Sequence, residues 1–159
     1  MELRAPRERV SPRARLMWTV EELIRAVGLL VVLWLLSGPW DWFSLPGWAL
    51  PAVGVVLLVY VLVVPQWKYA VHRWEVTESA VYTQTGWWAR ERRIAPMSRV
   101  QTVDHREAAV ARLFGLATVR ITTASSAGAL TIEGLDQRRA LEIVDELTRM
   151  ADSVPGDAT

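Results

Sequence analysis

Two apolar blocks dominate the first third of the chain, Ala26–Leu36 (AVGLLVVLWLL) and Trp48–Val64 (WALPAVGVVLLVYVLVV). Between Arg25 and Lys68 the only charged side chain is Asp41. A helix needs about 20 mostly apolar residues to cross the hydrocarbon core of a bilayer. The second block nearly meets that length alone. The first meets it by borrowing Val20, Leu23 and Ile24 before it and the aromatic residues after it, with Arg25 snorkelling toward the headgroups. The pattern predicts a transmembrane helical hairpin over 16–66, with spans at about 20–40 and 47–65. A signal peptide is the weaker reading: the region before the block is long, no A-x-A site follows, and Pro39 lies where processing would occur. Two buried helices of a soluble fold fit less well still, because a globular helix needs a polar face.

The connector Ser37–Trp48 reads SGPWDWFSLPGW. Gly38, Pro39, Pro46 and Gly47 break helix. The indoles of Trp40, Trp42 and Trp48 suit headgroup depth, with an apolar body and a wet N–H, and Trp67 and Tyr69 take the same role beyond the second span. Arg4, Arg7, Arg9, Arg13, Arg15 and Arg25 precede the hairpin, Lys68 and Arg73 follow it, and the connector carries neither lysine nor arginine. The positive side stays inside, so the expected location is the cell membrane, multi-pass, with both termini cytoplasmic.

Residues 1–15 read as a basic, flexible leader, with Ser11 as a cap and Pro12 at the first helical position of the helix that follows. Glu21 and Arg25 stand at a favourable i,i+4 spacing. After Pro65 the period shortens to two. Strands are predicted in YAVHRWEV (Tyr69–Val76), VYTQT, WWARERRIA, RVQTVDH, ATVRITTA and ALTIEGL, the last two flanking the turn SSAG. REAAVARLFGL offers a helical turn that stops at Gly115. The final element, LDQRRALEIVDELTRMA, is an amphipathic helix with Asp136 as its cap, Ala140, Ile143, Val144, Leu147 and Met150/Ala151 on its apolar side, and an Asp145–Arg149 pair on its back. The strand-rich part and this helix form one unit over 67–151, followed by a loose tail at 152–159.

Composition narrows the chemistry. A net charge of +1 over 159 residues argues against nucleic acid as partner, and a chain without cysteine has neither disulfide nor thiolate chemistry. His72 and His105 stand far apart in sequence, and His72 shares the apolar side of its segment, as a core histidine does. The run Asp104–Glu107 (DHRE) has metal-ligand residue types but neither HExxH spacing nor a second nearby histidine. Ser125 and Ser126 have no matched base, and no GxSxG, P-loop or GxGxxG motif occurs. No catalytic, cofactor or metal residue is assigned, and an enzyme is not expected.

The remaining candidate is RERR. In a strand Arg90 and Arg92 project together, with Glu91 and Arg93 opposite; Arg99 follows the bend at Pro96. A basic cluster beside an anionic leaflet gains about 1 kcal/mol per residue. The plain alternative is a solvated strand face balanced by Glu91 and Glu107. Trp87 and Trp88 divide in the same way, one to the core and one outward.

At RVSPRARLMW, the paired apolar blocks, IAPMSRVQTV, ARLFGLATVRITTA, IEGL and the final helix, the chain resembles the bacterial pleckstrin-homology (PH) domain membrane proteins of the YdbS-like group, over residues from about 10 to 151. The resemblance implies an α+β membrane protein: a two-helix transmembrane hairpin, then a PH-like barrel or bent sheet of about seven strands capped by a C-terminal α-helix. It also implies a non-enzymatic protein without cofactor, accompanied by another membrane protein, such as a larger relative with several PH-like domains. The expected function is a membrane-anchored interaction module, a subunit of a membrane protein assembly. The alternative is a reader of anionic lipid headgroups through Arg90, Arg92, Arg93 and Arg99. Binding of phosphoinositides is not carried over, since no motif for it maps onto this chain.

Overall fold

The computed structural model describes residues 6–38, 44–86, 89–124 and 128–153. Trp40, Trp42, Trp87, Trp88, Ser125 and Ser126 lie outside them, as do residues 154–159 of the tail. Among the described residues, seven strands, all antiparallel, form two sheets. The first runs in the order β1 (Glu8–Arg9), β2 (Arg73–Val76), β3 (Ala80–Thr85) and β4 (Glu91–Pro96); the second runs β5 (Val100–Arg106), β6 (Leu116–Thr123) and β7 (Leu130–Asp136). Helix α3 (Ala109–Leu113) connects β5 to β6, and α4 (Gln137–Ser153) packs across the second sheet. The architecture is α+β, with a PH-like domain built from the two sheets and α4.

Six of these strands follow the alternating pattern. The seventh, β1, comes from the leader, where hydropathy predicts a flexible segment. Two charged residues carry no strand pattern, yet Glu8 pairs with Trp74 and Arg9 with Arg73. Val10 then buries in the core, Ser11 donates a backbone bond to the carbonyl of Gly134 at 2.9 Å, and the Glu8 carboxylate lies 3.7 Å from Arg139 on α4. Tertiary contacts order this segment from Glu8 onward without help from local propensity.

Helix α1 (Ala14–Ser37) starts inside the domain. Ala14, Met17 and Trp18, three to four residues apart, all bury in the same core as Trp74, Ile132, Ile143 and Leu147. Ser11 does not cap it: its hydroxyl donates to Asp136 Oδ1 at 3.2 Å, and that contact occupies the residue read as the α4 cap. Arg25 pairs with Glu22 at 2.7 Å, one residue short of the i,i+4 partner Glu21. Helix α2 (Ala49–Val71) packs beside α1, with Ala26, Leu30, Gly54 and Leu57 along the seam. Among the described residues α2 is the one helix long and apolar enough to cross a membrane. The uncharged part of α1 within them, Ala26–Ser37, covers about 18 Å at ~1.5 Å per residue, against a hydrocarbon core of about 30 Å.

Helix α2 also runs past Pro65 to Val71, so the strand read from Tyr69 starts at Arg73 instead. Alternation at Ala70, His72 and Trp74 is too short to distinguish the two periods. The backbone N–H of His72 closes the helix on Lys68 O at 2.8 Å. Helix α4 matches its stripe: Ala140, Ile143 and Leu147 are fully buried, with Val144 and Met150 packed at the margin. Arg149 bonds the Asp145 backbone carbonyl at 3.2 Å, not its carboxylate.

A candidate binding cavity where the helix pair meets the domain

Residues four apart on a helix share a face. On α2 that spacing aligns Tyr60, Val64 and Lys68, with His72 following at the residue that caps the helix, the first two toward the middle of the helix and the polar pair at its end. These four form one wall of a cavity of about 370 Å³. Opposite them, β3 contributes Thr83 and Thr85, and β4 contributes Glu91 and Arg93. Thr131 and Glu133 of β7 and Glu22 of α1 complete the polar lining. The cavity therefore opens between the two sheets, where the helix pair enters the domain.

Its charges come in pairs. Lys68 Nζ lies 2.9 Å from Glu133 Oε2 and 4.3 Å from the centre of the Trp18 ring. Arg93 Nε donates to Glu91 Oε1 at 2.7 Å. Burial pulls on Glu133 to raise its pKa, but the adjacent Lys68 ammonium and its hydrogen bond outweigh that, and the carboxyl ends below its ordinary value. His72 is 3% exposed, its ring 5.7 Å from that of Trp18, and its Nδ1 has no hydrogen-bond partner among the described residues. Burial lowers its pKa from 6.5 to about 4, against the pull of Glu133, so it is neutral at pH 7.

That depression sets a pH dependence. Above about pH 6.5 both the folded and the unfolded His72 are neutral, and the domain has its full stability. As pH falls from 6.5 toward 4, only the unfolded chain takes up the proton, and the folded state loses about 2–3 kcal/mol relative to it. Thermal unfolding of the full chain in detergent at pH 7.5, 6.0 and 4.5 measures this. The acid loss shrinks in His72→Phe, whose ring cannot titrate; an equal loss in both proteins would remove His72 as its source.

The four arginines singled out by sequence lie in different surroundings. Arg93 turns into the cavity, while Arg92, on the opposite face, donates from Nε to Gln84 Oε1 at 2.9 Å. Gln84 is buried, and its Nε2 in turn donates to the Val71 carbonyl at 3.0 Å, which ties β4 to the end of α2. Arg90 and Arg99 are exposed, Arg99 in a single 3-10 turn, Met97–Arg99, after β4. Trp48 and Trp67 are largely exposed, whereas Tyr69 packs against the core with the Arg15 guanidinium 4.7 Å from its ring centre. His105 Nε2 lies 3.7 Å from Glu107, and no group of three acidic or histidine side chains with metal-site geometry occurs among the described residues. Sequence reasoning missed Lys68, Glu133 and the cavity role of His72; the i,i+4 spacing on α2 was the available signal, hidden by reading that segment as a strand.

The similarity to known proteins extends over both parts of the molecule. No solved structure matches the chain. A relative from Bacillus subtilis (strain 168), the UPF0699 transmembrane protein YdbS, is 32% identical over 150 residues, covering 92% of this chain and 93% of its own length. The family model for the bacterial PH domain matches residues 18–151, from the buried Trp18 within α1 through α2 and strands β2 to β7 to the end of the α4 core stripe. With that match across the architecture described above, the chain belongs to the bacterial PH domain family.

Proposed function

We propose that this protein is a membrane-anchored, non-enzymatic interaction module: α1 and α2 cross the bilayer as a hairpin, both termini are cytoplasmic, and the PH-like domain serves as a subunit of a membrane protein assembly. One observation carries the topology. Because β1 and β2 flank the helix pair in sequence and pair with each other, the chain leaves and returns on the same side. An even number of crossings follows, so if α2 spans, α1 spans with it. Exposed Leu29, Val31, Val32 and Trp34 on α1 and Val55, Val56, Leu58 and Val59 on α2 supply the lipid-facing surface. The arginine count supplies the orientation. The similarity to a protein named as transmembrane is in line with both.

The interaction role is supported by rigidity and by the position of β4 at the end of its sheet. Helix α1 passes from the domain core into the apolar region without a break, so a docking surface would be held at a fixed height and angle. Strand β4 stands last in the order of the first sheet, with β3 as its one strand neighbour among the described residues, and the end of a sheet is where a partner adds a strand. Recognition of an anionic surface through the arginine strand has less support, because Arg92 and Arg93 are already engaged with Gln84 and Glu91.

The chain has no cysteine, so single replacements report cleanly. A membrane-impermeant maleimide added to intact cells is expected to label Ser44→Cys and to leave Ser98→Cys unlabelled until the cells are opened. Labelling of both from outside would end the topology. A photo-crosslinker on β4 in native membranes is expected to capture a stoichiometric membrane protein; recovery of monomer alone would end the subunit reading.

A further inference from the structure

The cavity has a chemistry that the interaction role leaves unused. Three carboxylates line it, Glu22, Glu91 and Glu133, against two cations, Lys68 and Arg93. Glu22 is held by Arg25 from outside the cavity, which leaves two carboxylates facing two cations inside it, so neither sign alone sets the site. Both signs on one concave wall fit a ligand that also has both. The two ion pairs inside the cavity are partly exposed, so they hold little net stability and can exchange partners with a ligand. Thr83, Thr85 and Thr131 add hydroxyls at the domain end, while Tyr60 and Val64 continue the same wall toward the apolar part of α2. From Tyr60 to His72 the wall spans about 18 Å at ~1.5 Å per residue, polar at one end and apolar at the other. That polarity is the polarity of an amphiphile whose head is drawn into the domain.

We propose that this cavity binds an ammonium–phosphate zwitterion, the chemistry of an ethanolamine phospholipid headgroup, with the phosphate toward Lys68 and Arg93 and the ammonium toward Glu91 and Glu133. A primary ammonium donates hydrogen bonds to carboxylates, and charge-assisted bonds of this kind are the strong ones. A quaternary choline head lacks those donors. The volume of about 370 Å³ suits a small polar head and leaves the chains outside, along α2. The inference rests on the membrane placement of α2 but on no protein partner, so loss of the crosslinked partner would leave it standing.

The test uses the full chain in lipid nanodiscs, with insertion verified first, followed by extraction and native mass spectrometry of retained lipid. Phosphatidylethanolamine is expected to be retained about tenfold over phosphatidylcholine and over phosphatidylglycerol with matched chains. Glu91→Gln/Arg93→Gln, which removes a partly exposed pair, is expected to abolish that preference while leaving the melting temperature unchanged. Ala129→Trp, which fills the cavity from the turn before β7, is expected to lower retention of every lipid. Equal retention of the three lipids by the parent chain, or an undiminished preference in the double variant, would overturn the proposal. Soluble glycerophosphoethanolamine separates the sources. Competition at the affinity of the intact lipid supports a zwitterion taken from water, and failure to compete alongside lipid retention supports one taken from the bilayer.

Discussion

Gly134→Val is expected to cost about 4 kcal/mol or more and to lower the apparent melting temperature of the detergent-solubilised chain by about 10 °C. Gly134 sits in β7 at φ +74, where a side chain is strained, and a Cβ there would lie 2.6 Å from Ala14 Cβ and 3.5 Å from Trp18 Cζ2. Its carbonyl also holds the Ser11 N–H. The glycine is thus the point at which the start of α1 comes down onto the second sheet. Gly128→Val is the control. Its φ is +80, but nothing lies within 4 Å of the added Cβ, so it carries backbone strain without the collision. Gly134→Val is expected to be the more damaging by about 2 kcal/mol or more. Equal melting temperatures would show that close approach of α1 contributes nothing.

Trp18→Ala is the second large effect, a loss of about 3–5 kcal/mol. The indole is 2% exposed and faces three things at once: the Lys68 ammonium, the His72 ring, and Gly134, where an added Cβ would lie 3.5 Å from its Cζ2. Removing it leaves a cavity that rigid neighbours on β7 cannot close, and it deprives Lys68 of a cation–π partner. Trp18→Phe keeps much of the buried area and is expected to recover more than half of the loss. The measurement is thermal unfolding together with protease sensitivity near residues 11–16. If Trp18→Ala melts within 2 °C of the parent, α1 is not part of the domain core.

Much of the fold was legible because its signals are local. The shift from long apolar blocks to alternation marks the boundary between helix pair and sheets, and the stripe of α4 is unambiguous. What escaped is decided by distant partners. Glu8–Arg9 has no strand propensity, and its order comes from β2, sixty-odd residues away in sequence. Residues 69–72 fit either period, and the helix prevails because it buries Val71 and packs Tyr69 against the core beside Arg15. The arginines illustrate the other limit. Alternation correctly separates Arg92 from Arg93, but nothing in the sequence says that the face holding Arg93 lines a cavity. Side-chain direction is local information, whereas concavity belongs to the assembled sheets.

The unbroken course of α1 has a mechanical consequence. A flexible tether would let the domain wander while the membrane segment rocked beneath it. On the proposed topology the same rod is both membrane stave and core element, so any change of tilt, whether from a thinner bilayer or a neighbouring protein, would swing the whole β-module through the same angle and carry β4 with it.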